Sequence, residues 1–257
     1  MVIRMQKLIS AIVNILPENL RNKFKCFVYN LNAHKGFHYS YANKNWAVTR
    51  NTIRLLFDDN PYYLMNEFDA YLRYRKIQKG DKVIDAGAHI GTFSLMAAKL
   101  VGPEGFVYAF EPDTINYQKL LRNIRSNGIA NIKVFNMGLW KSADKLYFHS
   151  SGDLGSSIQA DSSNGSVIID VINLDNFWNS ENNPAINFIK MDIEGAEIEA
   201  LEGAANLLKH CNVSLSIASY HKVNGEETYK AITPILEGMG YTVDTIFDFE
   251  IITYAKK

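Results

Sequence analysis

From about residue 79 to the C-terminus, short apolar runs alternate with segments of helical apolar spacing, and this alternation limits the fold more than any other feature. Strands joined by crossover helices pair in parallel, so the pattern predicts an α/β domain whose mostly parallel sheet carries helices on both faces. Residues 82–85 (Lys-Val-Ile-Asp) read as a buried strand, 92–100 as a helix and 106–110 as a second strand. Asp113 can cap a helix that runs to about residue 127, where Gly128 stops it. Residues 132–135 form a third strand, and 146–149 and 167–172 look like extra strands around a Gly/Ser-rich loop at 150–157. A buried strand at 186–191, a helix at 196–208, a strand at 213–217 and a helix over about 226–238 follow. Residues 241–247 and 250–255 close the chain as an antiparallel hairpin.

Residues 1–75 lack this alternation and are rich in aromatic and polar side chains, among them Phe37, His38, Tyr39, Tyr41, Trp46, Tyr62 and Tyr63. They are expected to form a helical and aromatic extension to a main domain spanning 76–257. Ile9, Ile12, Val13 and Leu16 have helical spacing, which suits a helix packed on its own domain or, alternatively, in peripheral contact with a membrane surface. No run reaches the ~18–20 apolar residues of a membrane span. Lys+Arg and Asp+Glu both number 27, so the basic excess of a general nucleic-acid binder is missing. Two distant cysteines, Cys26 and Cys211, fit free thiols in a reducing, cytoplasmic setting rather than a zinc site.

In an open parallel sheet, ligands sit beyond the carboxyl ends of the strands, near the point where strand order reverses. The polar residues at those ends are therefore the candidates. The first strand runs into Asp85-Ala86-Gly87-Ala88-His89-Ile90-Gly91, a Gly-x-x-x-Gly turn that lets backbone approach a ligand and opens a helix with N–H groups exposed. It differs from the Gly-x-Gly-x-x-Gly dinucleotide fingerprint, and Asp85 would repel a pyrophosphate, so a cationic ligand group fits better. Glu111 ends the next strand, where a carboxylate can take both hydroxyls of a ribose. Asn136-Met137-Gly138 follows the third strand. Asp192 ends the 186–191 strand and is placed to bind an ammonium, bind a metal or act as a base, whereas Glu194 and Glu197 read as acids favoured in a first helical turn.

Taken together, Val-Ile-Asp-Ala-Gly-Ala-His-Ile-Gly-Thr-Phe-Ser, Phe-Glu-Pro, Val-Ile-Asn-Leu-Asp and Ile-Lys-Met-Asp-Ile-Glu-Gly-Ala-Glu resemble the FkbM family of S-adenosylmethionine-dependent methyltransferases. The resemblance covers about residue 79 to the C-terminus, with His89 standing where the family commonly has Asn. It implies a Rossmann-like seven-stranded methyltransferase sheet with an antiparallel C-terminal hairpin. It implies S-adenosyl-L-methionine as cofactor, with its methionine part at Asp85, Gly87, Ala88, His89 and Gly91, its ribose at Glu111, its adenine near Asn136, Met137 and Gly138, and its methyl or amino group near Asp192.

The activity implied is O-methylation of a hydroxyl on a sugar, lipid or secondary metabolite, with a small molecule or glycan as acceptor and no nucleic acid. His221, just past the 213–217 strand, is the first candidate for the base, and Asp192 the second. The family often places an acid two residues before this histidine. Here that residue is Ser219, which argues against a Glu–His pair. With Asp192 as one carboxylate among the strand-end residues, no metal is expected. The alternatives are a nicotinamide-dependent oxidoreductase and a non-catalytic protein with the methyltransferase fold. The sequence leaves the acceptor and the oligomeric state open.

Overall fold

Buried aromatic residues shape the N-terminal part of the chain, and residues at positive φ join its strands. The structure, a computed structural model, describes residues 15–31, 36–149, 157–159, 166–248 and 250–257. The N-terminal helical spacing and the Gly/Ser-rich loop thus lie almost wholly outside the described residues. Helix α1 (Glu18–Leu31) is followed by β1 (His38–Ala42), β2 (Asn45–Arg50) and β3 (Ile53–Phe57), an antiparallel three-stranded sheet. Asn43 and Lys44 form the two-residue link from β1 to β2 at φ 52° and 62°, the left-handed backbone that hairpin turns require. Tyr39, Tyr41, Trp46 and Phe57 are buried, and Tyr29 stacks on Tyr62 with ring centroids 3.7 Å apart. The extension was expected to be helical and aromatic. The aromatic core is there, but the region also holds this sheet.

Helix α2 (Tyr62–Tyr71) carries the chain across the division between two compact units, Met1–Asn66 and Glu67–Lys257. The division falls before the expected 75/76 boundary because residues 67–75 are bonded into the second unit. Tyr254 Oη donates to Ala70 O at 2.7 Å, and Ser216 Oγ donates to Tyr71 O at 2.7 Å. Arg75 holds Asp81 through both guanidinium nitrogens at 2.6 and 2.8 Å.

The second unit contains β4 (Lys82–Ala86), α3 (Thr92–Val101), β5 (Phe106–Phe110), α4 (Thr114–Ser126) and β6 (Ile132–Phe135). Next come β7 (Gly138–Leu139), β8 (Asp144–His149), β9 (Ser157–Gln159), β10 (Ser166–Ile172), α5 (Leu174–Ser180) and β11 (Phe188–Met191). Helices α6 (Glu197–Glu202) and α7 (Ala205–His210) are followed by β12 (Ser214–Ala218), β13 (Lys222–Val223), β14 (Glu226–Glu227), α8 (Tyr229–Gly238), β15 (Thr242–Phe247) and β16 (Ile251–Lys256). The seven-stranded sheet has the order β15-β16-β12-β11-β4-β5-β6. Its strands from β12 to β6 are parallel, and β16 is antiparallel to both β12 and β15. The last strand therefore inserts between β12 and β15 instead of lying at the edge.

Val83 and Ile84 in β4, residues 107–110 in β5 and Phe188–Met191 in β11 are buried at consecutive positions, as expected for a sheet covered on both faces. Asp113 caps α4 by accepting from the N–H groups of Ile115 and Asn116 at 2.8 and 2.9 Å. The helix expected over 196–208 is broken between α6 and α7 at Gly203 and Ala204, and the one expected from 226 starts at Tyr229, after the β13–β14 hairpin. A second sheet, β7-β10-β8-β9, is inserted between β6 and β11. Cys26 and Cys211 are buried free thiols. Among the described residues no helix is long and apolar enough to cross a membrane.

Candidate functional site

Strand order reverses at β4, which has β5 on one side and β11 on the other. The residues just beyond β4, β5, β11 and β12 therefore share one crevice. The turn after β4 packs against the end of β11 so closely that a Cβ on Gly87 would lie 1.8 Å from the backbone oxygen of Asp192. Gly87 also has φ 80°, so only glycine fits. The N–H groups of Gly87 and Ala88 donate to Phe110 O at 3.0 and 2.9 Å, that of His89 to Glu111 Oε2 at 2.7 Å, and that of Gly91 to Ala88 O at 2.8 Å. The first three of these bonds fix the turn to the end of β5 and to Glu111, and the fourth closes the turn on itself.

Asp85 was expected to face the crevice. Its carboxylate is instead fully buried beneath the turn, accepts from Ser94 Oγ at 2.5 Å and lies 3.4 Å from Lys190 Nζ. The parallel register sets Lys190 opposite Asp85, so β11 brings its lysine to the acid of β4. Lys190 Nζ also donates to Gly87 O at 2.8 Å and stands 4.0 Å from Asp192 Oδ2. Burial opposes the charge on Lys190, but Asp85 and Asp192 outweigh it and hold its pKa above the usual range.

Glu111 is 5% exposed, and its oxygens accept the N–H groups of His89 and Asp113. Burial pushes its pKa up to about 7. Asn136 donates to Glu111 O and Pro112 O at 2.9 and 3.1 Å, so its amide braces the turn that carries Glu111. Gly138 opens β7 and pairs with Val171, and Met137 is half-buried between the two sheets' strands. Both ring nitrogens of His89 are buried without a hydrogen-bond partner, and burial lowers its pKa to about 4, keeping the ring neutral.

Beyond β11 and β12 the chain gathers Asp192, Glu194, Glu197 and His221. His221 Nδ1 lies 2.9 Å from Glu197 Oε1, while Nε2 lies 3.2 Å from Glu194 Oε2 and 3.7 Å from Asp192 Oδ1. Glu197 is fully buried and accepts from the N–H groups of Ile193 and Gly195 at 3.1 and 3.2 Å. Tyr71 Oη donates to Asp192 Oδ2 at 3.0 Å, and Asp192 Oδ1 is buried without a hydrogen-bond partner. An acid partner for His221 was not expected, because Ser219 replaces the usual residue. The structure supplies such partners from the loop and helix after β11, and Ser219 is buried against Thr253, with the two hydroxyls 2.8 Å apart. Burial alone would lower the His221 pKa, but Glu194 and Glu197 overcome it and raise it to about 10. A ring so held keeps its proton at neutral pH.

The fold thus brings Asp192 and His221 together and sets Glu111, His89 and Gly87 on the neighbouring strand ends, with Asp85 buried against Lys190 and Asn136 bonded to the turn after β5. Lys190, Tyr71, Glu194 and Glu197 were not anticipated as parts of the site. Lys190 left a signal, a lysine two residues before Asp192 in an otherwise apolar strand. Glu67 and Glu250 add further acidity, and burial together with the surrounding carboxylates raises the Glu67 pKa to about 8.

Known proteins resemble this chain. The model described as "Methyltransferase FkbM domain" matches residues 85–243, more than half of the chain. Hexuronic acid methyltransferase AglP of Haloferax volcanii is 28% identical over 141 residues, which cover 55% of this chain and 57% of the relative. Methyltransferase sdnD of Sordaria araneosa is 26% identical over 201 residues, covering 61% of this chain and 77% of that one. The crystal structure of the FkbM methyltransferase from Methylobacillus flagellatus KT superposes with a TM-score of 0.54 at 23% identity, covering 74% of this chain and 50% of that one. The chain spans little more than half the length of AglP and half of the M. flagellatus protein. With its strand order, its acid-bearing strand ends and the family match over residues 85–243, the chain belongs to the FkbM methyltransferase family.

Proposed function

We propose that the chain is an S-adenosylmethionine-dependent O-methyltransferase acting on a hydroxyl of a small molecule or glycan. The observation that carries this reading is the carboxylate-rich crevice where β4 meets β11. A ligand with a sulfonium and an ammonium group suits such a crevice, and a pyrophosphate does not. The His89 ring nitrogens and Asp192 Oδ1, buried without hydrogen-bond partners, are groups that a bound ligand would satisfy. Each oxygen of Glu111 accepts one backbone N–H and keeps a lone pair for a ribose hydroxyl. Gly87, Ala88, His89 and Gly91 would flank the methionine part, and Met137 and Gly138 the adenine. When bound, the cofactor supplies a methyl group on a sulfonium, which departs as a neutral thioether.

The protein's part is then to align an acceptor and receive its proton. Asp192 Oδ1 is the proposed proton acceptor, held in place by Tyr71 and Lys190 through the other carboxylate oxygen. His221, clasped by Glu194 and Glu197, stabilises the charge beside it. The hexuronic acid methyltransferase among the relatives supports a sugar as the acceptor. Calorimetric titration with S-adenosylmethionine and its demethylated product tests the reading. Micromolar binding, weakened by roughly 1.5–3 kcal/mol in Glu111→Ala, is the expected result. A folded wild type that binds neither compound overturns it.

A further inference from the structure

We infer that Asp192, Glu194 and His221 form a site for one divalent transition-metal ion of the Mn²⁺-to-Zn²⁺ series. Each of the three residues offers one ligand atom, and these atoms lie within 4.8 Å of one another. Nε2 lies 3.2 Å from the glutamate oxygen and 3.7 Å from the aspartate oxygen. Two ligands each about 2.1 Å from an ion are roughly 3 to 4 Å apart, which is the range of the two distances from Nε2.

A second observation points to a ligand here. The His221 side chain is 8% exposed, and Nε2 faces Glu194 and Asp192 as ion-pair partners without a well-formed hydrogen bond to either. Asp192 Oδ1 is buried in the same condition, whereas Oδ2 is held by Tyr71. Buried polar atoms aimed into one space call for something that bridges them. The far side of the ring is arranged accordingly. Nδ1 faces the fully buried Glu197, which is itself anchored by two backbone N–H groups. A carboxylate behind the imidazole is the arrangement that orients metal-binding histidines and leaves Nε2 for the ion.

The donor set selects the metal. An imidazole nitrogen favours a transition ion over Ca²⁺ or Mg²⁺, and two carboxylates favour the harder members over Cu(I). The incoming dication takes the place of the Nε2 proton. The expectation of no metal counted only the residues that directly end strands. Glu194 comes from the loop after β11 and His221 from the segment after β12, and the fold delivers both to Asp192. With an ion present, Asp192 and His221 act as its ligands, and the ion offers a Lewis acid to an acceptor hydroxyl in place of a carboxylate base.

The site needs neither cofactor nor acceptor, so its test is separate from that of methyl transfer. Metal-free full-length chain is titrated with Mn²⁺ and Zn²⁺ by calorimetry, and with Co²⁺ by visible absorption. Binding of one ion with micromolar or tighter affinity is expected, together with Co²⁺ d–d bands of nitrogen–oxygen coordination. Glu194→Gln and His221→Gln should each weaken binding by at least about tenfold, and Glu197→Gln by about tenfold through loss of ring orientation. Glu237→Gln, an exposed acid on α8, should leave binding unchanged. Glu194 is 30% exposed, so its variant provides the test even if His221→Gln does not fold. No saturable binding below about 1 mM, or binding indifferent to Glu194→Gln, overturns the inference. Metal binding without S-adenosylmethionine binding would sustain this site and overturn the methyl-transfer reading, and the reverse pattern would do the opposite.

Discussion

His221 Nδ1 lies 2.9 Å from Oε1 of Glu197, a carboxylate with no solvent exposure that is tied to the backbone of the loop after β11. That one oxygen joins the segment after β12 to the loop after β11. Glu197→Ala would strand the N–H groups of Ile193 and Gly195 and remove the ring's partner. Each unsatisfied buried group costs about 1–3 kcal/mol, so a loss of roughly 2–4 kcal/mol is expected in chemical denaturation. Glu197→Gln keeps an acceptor oxygen and should lose less than half of that. An alanine variant as stable as wild type would mean that the anchor does not operate.

Gly87 is replaceable by no residue with a side chain. Alanine there would place a Cβ 1.8 Å from Asp192 O at φ 80°. Because the clash is with backbone, the strand ends themselves would have to part. Gly87→Ala should destabilise the fold by roughly 3 kcal/mol or more. A loss under about 1 kcal/mol in urea unfolding would show that the turn and β11 are not packed as described.

Lys190 is the buried cation between Asp85 and Asp192. Lys190→Met leaves both carboxylates uncompensated, and breaking a buried pair from one side costs about 3–5 kcal/mol. Asp85→Asn in the same chain should recover part of this, since it removes a charge that the methionine no longer balances. A double-mutant cycle with coupling of about 1 kcal/mol or more is expected, and additive losses would refute the pairing.

Glu111 makes stability depend on pH. Burial raises its pKa from 4.5 to about 7 in the folded chain. The folded state therefore binds the proton more tightly than the unfolded state. That contribution is fully present below pH 4.5 and is lost as pH rises through about 7. Thermal unfolding should show wild type losing stability relative to Glu111→Gln between pH 5 and 8, flattening above. The opposite slope would mean that the carboxylate is stabilised as an anion in the fold.

The alternating apolar runs after residue 79 made the main sheet legible, because a strand buried on both faces must be apolar at consecutive positions. The positions of Glu111 and Asp192 at strand ends were legible for a related reason, whereas the same position did not reveal that Asp85 turns inward to Lys190. The three-stranded sheet of residues 38–57 was harder to see. Only its first strand alternates cleanly, residues 45–50 and 53–57 do not, and its first turn is Asn-Lys rather than a glycine-bearing pair.

What the sequence determined by itself was local: periodicity set the strands and helices, the glycines set the tight turns, and Asp113 set the start of α4. The tertiary structure decided which charges meet. Asp85 is neutralised by Lys190 only because β11 lies beside β4 in a register that sets the two opposite each other. Glu194 and Glu197, which the sequence presents as ordinary acids at the start of a helix, surround His221 only because β12 lies next to β11. Electrostatic pairing depends on distance in space, and residues 24 to 27 positions apart come within about 3 Å only through sheet order and register.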